Sequence, residues 1–437
     1  MNKKNHNYLF LKNKNIKELC EFIWYLEEKY DLLNLKINEI HPWAAYRMDI
    51  YYKLGKLTGV FDQSFNHKTS KLKKITYSIN LIKNSFFQNN LSNLKKKDVL
   101  IFSHPISKKH KNQYIDIYSY KLIKQLIMKN KSFIDFESPF KGKHKRTKKY
   151  YTKYLDKIFL LRNIKDKFIK IQIQKNTEKL LNELNTEINK YCDFNIKEFL
   201  IHNTKKFIPT YKYYLELLKK TSPKKIYIII SYGRGELIKA AHDLNIKIIE
   251  IQHGTFSKYH LGYSFPNSFN YLYFPNKLHV WNEYWKNLIS FPIKKENIKI
   301  EPFHFLEEKT KEYKNTEKIK NTLIIFGQGG VTKSIVKKIK ENINYFKKFQ
   351  ITFKLHPNEY EHLDSYKDLI YLKEKYNISI VKNINLHKCL AKSEYQAGVF
   401  STALYEGVLF NCKTILFDVS GIEYMNKFIE YYKPKII

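Results

Sequence analysis

The chain has 437 residues, a length that fits two domains of about 200 residues each better than one. Apolar residues make up 43% of it, and its 35 Tyr and 30 Phe residues exclude a disordered chain. The four cysteines lie far apart and form no Cys-x-x-Cys pair, which excludes a zinc ribbon and a disulfide framework and indicates reduced thiols in a cytoplasmic protein: Cys20, Cys192, Cys389 and Cys412.

The charge is strongly unbalanced, with 79 Lys and Arg residues against 41 Asp and Glu residues and a formal net charge of +38. Such a field attracts nucleic acid, an anionic membrane surface or phosphorylated ligands. The alternative is that the excess charge reflects composition alone and no anionic partner, because the lysines are spread along the chain among many Asn and Ile residues, as in proteins of AT-rich genomes. Since no recognition motif accompanies the charge, we expect no nucleic-acid partner. Peripheral contact with the inner face of an anionic cytoplasmic membrane stays open, but no segment has the roughly 20 apolar residues of a span.

Helical periodicity dominates the N-terminal part of the chain, where helices are predicted over 15–33 and 43–57. Buried apolar runs then predict strands over 98–103, 132–136, 226–230, 247–251 and 278–281. Helices are predicted between them over 117–128, 150–220 and 235–244.

Short strands and helices alternate again in the second half. Strands are predicted over 322–326, 350–355, 378–381, 397–400 and 414–417, and helices over 333–342, 366–376 and 403–410. The alternation predicts an α/β fold: two Rossmann-like, doubly wound parallel-sheet lobes facing a cleft, with a helical N-terminal region. We expect a first lobe with helical insertions over residues 1–295 and a second lobe over 296–437. Ligands bind outside the carboxyl ends of such strands, so motifs that follow strands are the candidate site.

The sequence Gln-His-Gly-Thr at 252–255 directly follows the predicted strand over 247–251. An imidazole at this position lies at the mouth of the cleft, and its ordinary pKa near 6.5 suits a general base that deprotonates an acceptor hydroxyl. The alternative is that His253 only bonds to a backbone carbonyl. His260 and Tyr263 follow closely and are predicted to lie on the acceptor side.

The sequence Lys-Leu-His-Pro at 354–357 ends a strand of the second lobe. Proline restricts the residue before it, so His356 is held in a defined orientation in which it can donate to a phosphate oxygen. Lys354 adds charge to the same place. His-Pro also occurs at His41 and, again after a strand, at His104, so the dipeptide alone is a weak signal.

Ser401 and Thr402 follow the predicted strand over 397–400 and precede a helix. Such residues cap helix N-termini, and the free N–H groups and dipole of that end attract phosphate. Glu406 lies one turn further on, where it can accept from ribose hydroxyls. An ordinary capped helix is the alternative.

Glycines mark the loop after the predicted strand over 322–326, where Gly329 and Gly330 let the backbone approach a phosphate. The spacing fits neither the Walker A pattern nor the dinucleotide fingerprint, which argues against kinases and dehydrogenases. There is no Asp-x-Asp pair, no zinc-spaced cluster and no Gly-x-Ser-x-Gly elbow. We therefore expect no metal and no cofactor.

Together, the segments 252–255, 354–357 and 401–402 resemble bacterial GT-B glycosyltransferases of capsule and lipooligosaccharide synthesis, including sialyltransferases and Kdo transferases. The resemblance implies that His356, Ser401 and Thr402 contact the nucleotide phosphate, usually that of a CMP-sugar. The His-Gly-Thr element is similar to that of CDP-glycerol glycerophosphotransferases, which implies that His253 is the base. The acidic motif that several sialyltransferase families carry in the first lobe has no counterpart here.

The expected activity is metal-independent transfer of a sugar from a nucleotide-activated donor, a CMP-sugar above others, to a hydroxyl of a glycan or lipid-linked acceptor. Two alternatives stay open. One is a CDP-polyol phosphotransferase of teichoic-acid type, which would use the same lobes. The other is a non-catalytic protein of polysaccharide assembly.

Overall fold

The computed structural model describes residues 11–61, 71–86, 94–140, 142–164, 169–266, 271–376 and 378–437. Its helices are Ile16–Lys29 (α1), Pro42–Ala45 (α2), Arg47–Leu57 (α3), Lys71–Phe86 (α4), Tyr120–Met128 (α5), Asp156–Ile164 (α6), Lys175–Asn189 (α7), Ile196–Thr221 (α8), Gly235–Asp243 (α9), Glu283–Asn287 (α10), His304–Glu312 (α11), Thr332–Glu341 (α12), Ile343–Phe346 (α13), Lys367–Tyr376 (α14), Leu386–Lys392 (α15), Thr402–Leu409 (α16) and Asn426–Tyr432 (α17).

The strands are Val99–Phe102 (β1), Lys108–His110 (β2), Gln113–Ile115 (β3), Phe133–Glu137 (β4), Thr152–Tyr154 (β5), Lys225–Ile228 (β6), Lys247–Ile251 (β7), Lys277–Val280 (β8), Ile298–Ile300 (β9), Ile319–Phe326 (β10), Gln350–Lys354 (β11), Ser379–Val381 (β12), Ser393–Gly398 (β13), Lys413–Leu416 (β14) and Lys435–Ile436 (β15). Strands β2 and β3 form a separate antiparallel hairpin.

The first lobe is built on a seven-stranded sheet in the order β5-β4-β1-β6-β7-β8-β9, in which every pair is parallel. Apolar side chains of β1 point alternately into two separate clusters, with Leu100 and Phe102 in one and Val99 and Ile101 in the other. A strand buried on both faces needs helices on both sides of its sheet. The chain order reverses between β1 and β6, so the loops that follow these strands flank the first switch point.

The second lobe contains a six-stranded parallel sheet in the order β12-β11-β10-β13-β14-β15. Its order reverses between β10 and β13. The glycine loop follows β10, and Ser401 follows β13 three residues later. Two of the three predicted phosphate-binding segments of this lobe therefore flank its switch point, which is where ligands bind in such sheets.

The N-terminal helices and the C-terminal segment join the two lobes. Asn15 caps α1, its side chain accepting from the Glu18 N–H at 2.8 Å. The N–H of Ile16, the first residue of α1, donates to the Glu423 carboxylate of the C-terminal segment at 3.2 Å. Helix α17 packs on the first lobe, where the ring centroids of Tyr431 and Tyr284 are 6.1 Å apart. Among the described residues, no helix combines the length and apolarity needed to cross a bilayer.

The predicted α/β fold, with two parallel-sheet lobes and a helical N-terminal region, is confirmed. Several short elements were not predicted: the hairpin, β5, β9, α15 and β15. Strand β13 begins four residues before its predicted start, because its first four residues are the polar sequence Ser-Glu-Tyr-Gln. The boundary between residues 295 and 296 stays a prediction, and β9, just beyond it, pairs with the first sheet.

Candidate functional site

The turn after β7 and the start of α16 meet across the two lobes. A Cβ atom built on Gly254 would lie 3.6 Å from Thr402 Oγ1 and within 4 Å of no other group outside the turn. The turn that follows His253 and the helix start at Ser401 and Thr402 are therefore neighbours, although Gly254 and Ser401 are 147 residues apart in the sequence. The structure brings together the two motifs that the sequence assigned to acceptor and donor.

His253 lies in a cage of aromatic side chains from neighbouring strand ends. Its Nε2 atom is 3.4 Å from Tyr232 Oη, and its ring centroid is 5.9 Å from that of His104 and 6.3 Å from that of Tyr118. Burial lowers the pKa of His253 well below 6.5, and the charges of His104 and His260 lower it further. His253 is therefore neutral at pH 7, the state in which an imidazole can accept a proton.

Gln252 fixes the turn that carries His253. This fully buried side chain donates from Nε2 to the Gly254 carbonyl at 2.8 Å and accepts at Oε1 from the Trp281 N–H at 2.9 Å. Trp281 Nε1 donates in turn to the Gln252 carbonyl at 3.2 Å. Because both polar ends of Gln252 are bonded, the backbone on each side of His253 is held in one conformation.

The segment after the turn supports the site from behind. His260 Nδ1 accepts from the Gly262 N–H at 3.3 Å, and burial lowers the pKa of His260 to about 4. Tyr263 has no exposed surface, and its hydroxyl donates to the buried carboxylate of Glu250. The place of Tyr263 on the acceptor side stays a prediction; in the structure its ring centroid lies 4.9 Å from that of His260.

Arg47, from the helical N-terminal region, holds the same segment. It is 3% exposed and donates to the carbonyls of Leu261 and Ser264, the second at 2.8 Å. Its other guanidinium nitrogens bond to both carboxylate oxygens of Glu27, at 2.6 and 2.8 Å. This buried bidentate pair was not predicted, because neither residue stands in a motif.

Ser401 acts as the N-cap of α16, its hydroxyl accepting from the Ala403 N–H at 3.3 Å. Ser401 and Thr402 are both half-buried. Glu406 is 6% exposed and its Oε2 atom is 2.9 Å from His387 Nε2, a partner that was not predicted. Burial raises the pKa of Glu406, but the bond to His387 and nearby positive charges lower it by more. The carboxylate is therefore charged, next to the cleft.

A buried carboxylate organises the Lys-Leu-His-Pro segment. Glu359 is 2% exposed and accepts from the His356 N–H at 2.8 Å and from the Tyr366 hydroxyl at 2.6 Å. A Cβ atom on Gly327 would lie 2.9 Å from Glu359 Oε2, so only glycine fits where the β10 loop crosses this carboxylate. Gly329 lies beside the Glu359 side chain as well, at 3.8 Å from Cγ by the same construction.

Gly330 instead faces the N-terminal region, where its constructed Cβ position lies 3.7 Å from Phe61. The glycine loop therefore lies between the second sheet and the first lobe's helical region. Sequence reasoning predicted the loop but missed Glu359, which it could have found from the spacing: an acidic residue three positions after His356.

Lys354 Nζ donates to the Leu355 carbonyl at 3.3 Å, and the positive charge of Lys108 acts on the same ammonium group. Burial lowers the pKa of Lys354, and the charge of Lys108, on the β2–β3 hairpin, lowers it further. Glu406 and Glu359 oppose this effect. An anion placed between the two ammonium groups would relieve their repulsion, so the pair is suited to a phosphate. Lys108 was missed because the hairpin was not predicted.

His104, two residues after β1, lies on a buried polar network that was not predicted. Its backbone N–H donates to Asp116 at 3.2 Å, and Asp116 accepts from Ser119 Oγ at 2.7 Å. Arg146 pairs with Asp135, and Ser103 bonds to the same carboxylate. The signal was in the sequence, since His104-Pro105 follows a strand as His356-Pro357 does.

A cavity of about 450 Å³ extends along the first sheet, from the starts of β1 and β6 to the end of β7. Tyr118 lines it and also lies beside His253, and Ile251 is the last residue of β7 before the turn. Six lysines line the cavity against two acidic residues: Lys121, Lys129, Lys131, Lys224, Lys225 and Lys299, against Asp98 and Glu301. Within the described ranges, no group of three or more His, Cys, Asp or Glu residues is arranged to hold a metal ion; the expectation of no metal stays a prediction.

No family model matches the sequence, and no curated protein matches it. The solved structures include similar chains of low identity. A UDP-GlcNAc 2-epimerase from Methanocaldococcus jannaschii is 12% identical, with 78% of this chain and 88% of that chain covered and a TM-score of 0.45. The corresponding enzyme from Neisseria meningitidis is 14% identical, with 78% and 94% covered and a TM-score of 0.43.

MurG from Acinetobacter baumannii is 10% identical, with 78% of this chain and 86% of that chain covered and a TM-score of 0.42. These proteins are what the chain is similar to in outline. At these TM-scores and identities they assign it no activity, so the chemistry of this protein has to be inferred from the geometry of its own cleft.

Proposed function

We propose that this protein transfers a glycosyl group from a nucleotide-activated sugar to a hydroxyl of a surface-glycan or lipid-linked acceptor. The observation that carries the proposal is the contact between the Gly254 turn and Thr402. It puts a neutral imidazole and a capped helix start on opposite sides of one cleft. A base on one side and a phosphate-binding helix end on the other are the two parts that displacement at an anomeric carbon needs.

On the donor side, Ser401, Thr402 and the positive end of the α16 dipole bind the phosphate of the leaving nucleotide, and His356 donates to it. Lys354 and Lys108 supply positive charge from the two lobes. These groups are in place before the reaction, so they stabilise the charge that develops on the leaving phosphate without rearranging. The proposal therefore needs no metal ion.

On the acceptor side, the hydroxyl gives its proton to His253 while its oxygen bonds to the anomeric carbon. The bond from that carbon to the phosphate oxygen breaks, and the nucleotide leaves with the electron pair. Tyr232, 3.4 Å from His253 Nε2, orients the ring. The lysine-lined cavity beside Tyr118 is the entrance that we assign to the acceptor.

For the donor we favour a CMP-sugar, on the resemblance of the segments 354–357 and 401–402 to enzymes that use such donors. The His-Gly-Thr sequence favours a second candidate, transfer of a polyol phosphate from a CDP-polyol. In that reaction the same base would activate the hydroxyl, and phosphorus would be attacked instead of carbon.

The test is release of free nucleotide from a panel of CMP-, CDP-, UDP- and GDP-activated donors, measured by mass spectrometry with and without glycan acceptors. We expect release from one nucleotide class, lost in His253→Ala and retained in His202→Ala, which changes an exposed histidine on α8. Lys108→Ala should weaken donor binding about tenfold, the effect of one charge-assisted contact, while Lys109→Ala on the same hairpin should not. Release from no class, or equal release by both histidine variants, would contradict the proposal.

A further inference from the structure

Helix α4 carries an exposed apolar stripe. Its members lie four, seven and eleven residues after the first, a spacing that puts them on one face of a helix. They are Ile75, Ile79, Ile82 and Phe86, with 56%, 57%, 48% and 69% of their surfaces exposed. Single exposed apolar residues are ordinary, but four on one face of one helix form a patch that a partner covers.

The opposite face of α4 attaches the helix to the first lobe. Leu81 is 2% exposed, and Asn84 Nδ2 donates to Asp156 Oδ1 at 3.0 Å. Tyr77 packs against Gly142, at a site where an added Cβ would clash with its ring. The helix is therefore held by one face, and its stripe points away from the part of the lobe that the structure describes.

The surroundings of the stripe are basic. No Asp or Glu occurs in α4 or in the segment 142–155 that begins at its contact residue Gly142. This segment exposes three lysines and one aromatic ring: Lys143, Lys145, Lys148 and Tyr150, the last 87% exposed. Lys83 is exposed on α4 itself. An apolar stripe bordered by cations and by a protruding tyrosine fits the headgroup region of an anionic bilayer.

We propose that α4 lies in the surface of an anionic membrane, with the stripe inserted among the lipids and the 142–150 segment against their headgroups. A flat protein partner or a second copy of this chain would also cover apolar residues. Acidic residues are absent from both α4 and the 142–155 segment. This favours a uniformly negative membrane surface over a protein partner or a second copy, since protein surfaces carry charges of both signs.

The position of α4 gives this contact a consequence for the site. Asp156, bonded to Asn84, is also 2.7 Å from His144 Nε2, and His144 Nδ1 is 3.6 Å from the carboxylate of Glu137. Glu137 is the last residue of β4, so α4 lies at the edge of the sheet where the strands end. This edge also bears His253. If the proposed function holds, a lipid-linked acceptor in the same membrane would approach the cleft from that edge.

The experiment is co-sedimentation of the full chain with vesicles of phosphatidylcholine alone and of phosphatidylcholine mixed with phosphatidylglycerol. The stripe variant is the triple change Ile75→Gln, Ile79→Gln and Ile82→Gln. The matched control is Ile127→Gln, Leu272→Gln and Ile319→Gln, which are 47%, 48% and 48% exposed and lie elsewhere on the surface. All six positions are exposed, and glutamine is a good helix former for those that lie in helices, so both variants should fold; circular dichroism and thermal melting verify this.

We expect the wild type and the control variant to bind the anionic vesicles, more weakly at high salt, and the stripe variant to bind at least tenfold less. Equal binding by the two variants would overturn the inference. A second result would also overturn it: neither the wild type nor the stripe variant binds vesicles, and the wild type forms a concentration-dependent dimer that the stripe variant does not form. Nucleotide binding, measured on the same samples, should be unchanged in both variants, which separates a failure of membrane binding from a failure of the proposed chemistry.

Discussion

The carboxylate of Glu359 accepts from the His356 N–H at 2.8 Å and from the Tyr366 hydroxyl at 2.6 Å, at a position that is 2% exposed. Replacing it with alanine removes both acceptors at once. A buried donor left without an acceptor costs about 1–3 kcal/mol, so Glu359→Ala, which orphans two donors, should lower the free energy of unfolding by roughly 2–6 kcal/mol. Tyr366→Phe removes only one of the two bonds and should cost about 1 kcal/mol.

Glu359→Gln keeps the shape of the side chain and one carbonyl acceptor, so its cost should lie between those of the other two variants. Urea unfolding, followed by a spectroscopic signal from the second lobe, measures the free energy of unfolding of the three variants. Because Glu359 also borders the β10 glycine loop, nucleotide affinity should fall with Glu359→Ala and recover in part with Glu359→Gln. A loss of less than about 1 kcal/mol in Glu359→Ala would refute the idea that this carboxylate holds the loop.

Three further predictions concern the first lobe. Since burial lowers the pKa of His253, the acid limb of kcat/KM against pH should lie below pH 6.5; a limb above that value would contradict a neutral base. The pKa of His260, about 4 when folded against 6.5 unfolded, means that the native state binds fewer protons in this window, so stability should fall as pH drops from 6.5 to 4. His260→Gln should flatten this fall in a thermal-melting series. Arg47→Met leaves Glu27 buried without its partner and should cost about 3–5 kcal/mol in urea unfolding, whereas Arg47→Met with Glu27→Gln should regain part of that loss.

Strong apolar runs made the sheets predictable from the sequence. Strands β1 and β7 are buried continuous runs, and each ends within one residue of its predicted boundary. Strands of three residues or fewer, such as β9 and β15, carry too few side chains for a period to show, and they are defined by the neighbours with which they pair. The predicted start of β13 is too late because Gln396 is polar and yet buried; its amide bonds to Leu404 and Thr414 within the core.

The candidate site was predictable only in part, for a similar reason. Residues that follow strands could be read off the sequence, and Gly254 and Thr402 do meet. Residues that hold them come from distant segments: Arg47 from α3, Lys108 from the hairpin and Glu359 from beyond a proline. Their roles arise from tertiary contacts such as the Arg47–Ser264 bond, across 217 residues, which no local pattern encodes.

The most direct test of the account is whether a nucleotide binds on the second lobe independently of His253. Thermal melting of wild type, His253→Ala and His356→Ala would be measured with CMP, CDP, UDP, GDP and ADP. We expect one nucleotide to raise the melting temperature of wild type and of His253→Ala equally, and to leave His356→Ala unchanged. If no nucleotide stabilises the wild type, or if both variants lose the effect together, the division of the cleft into a donor side and a base side is wrong.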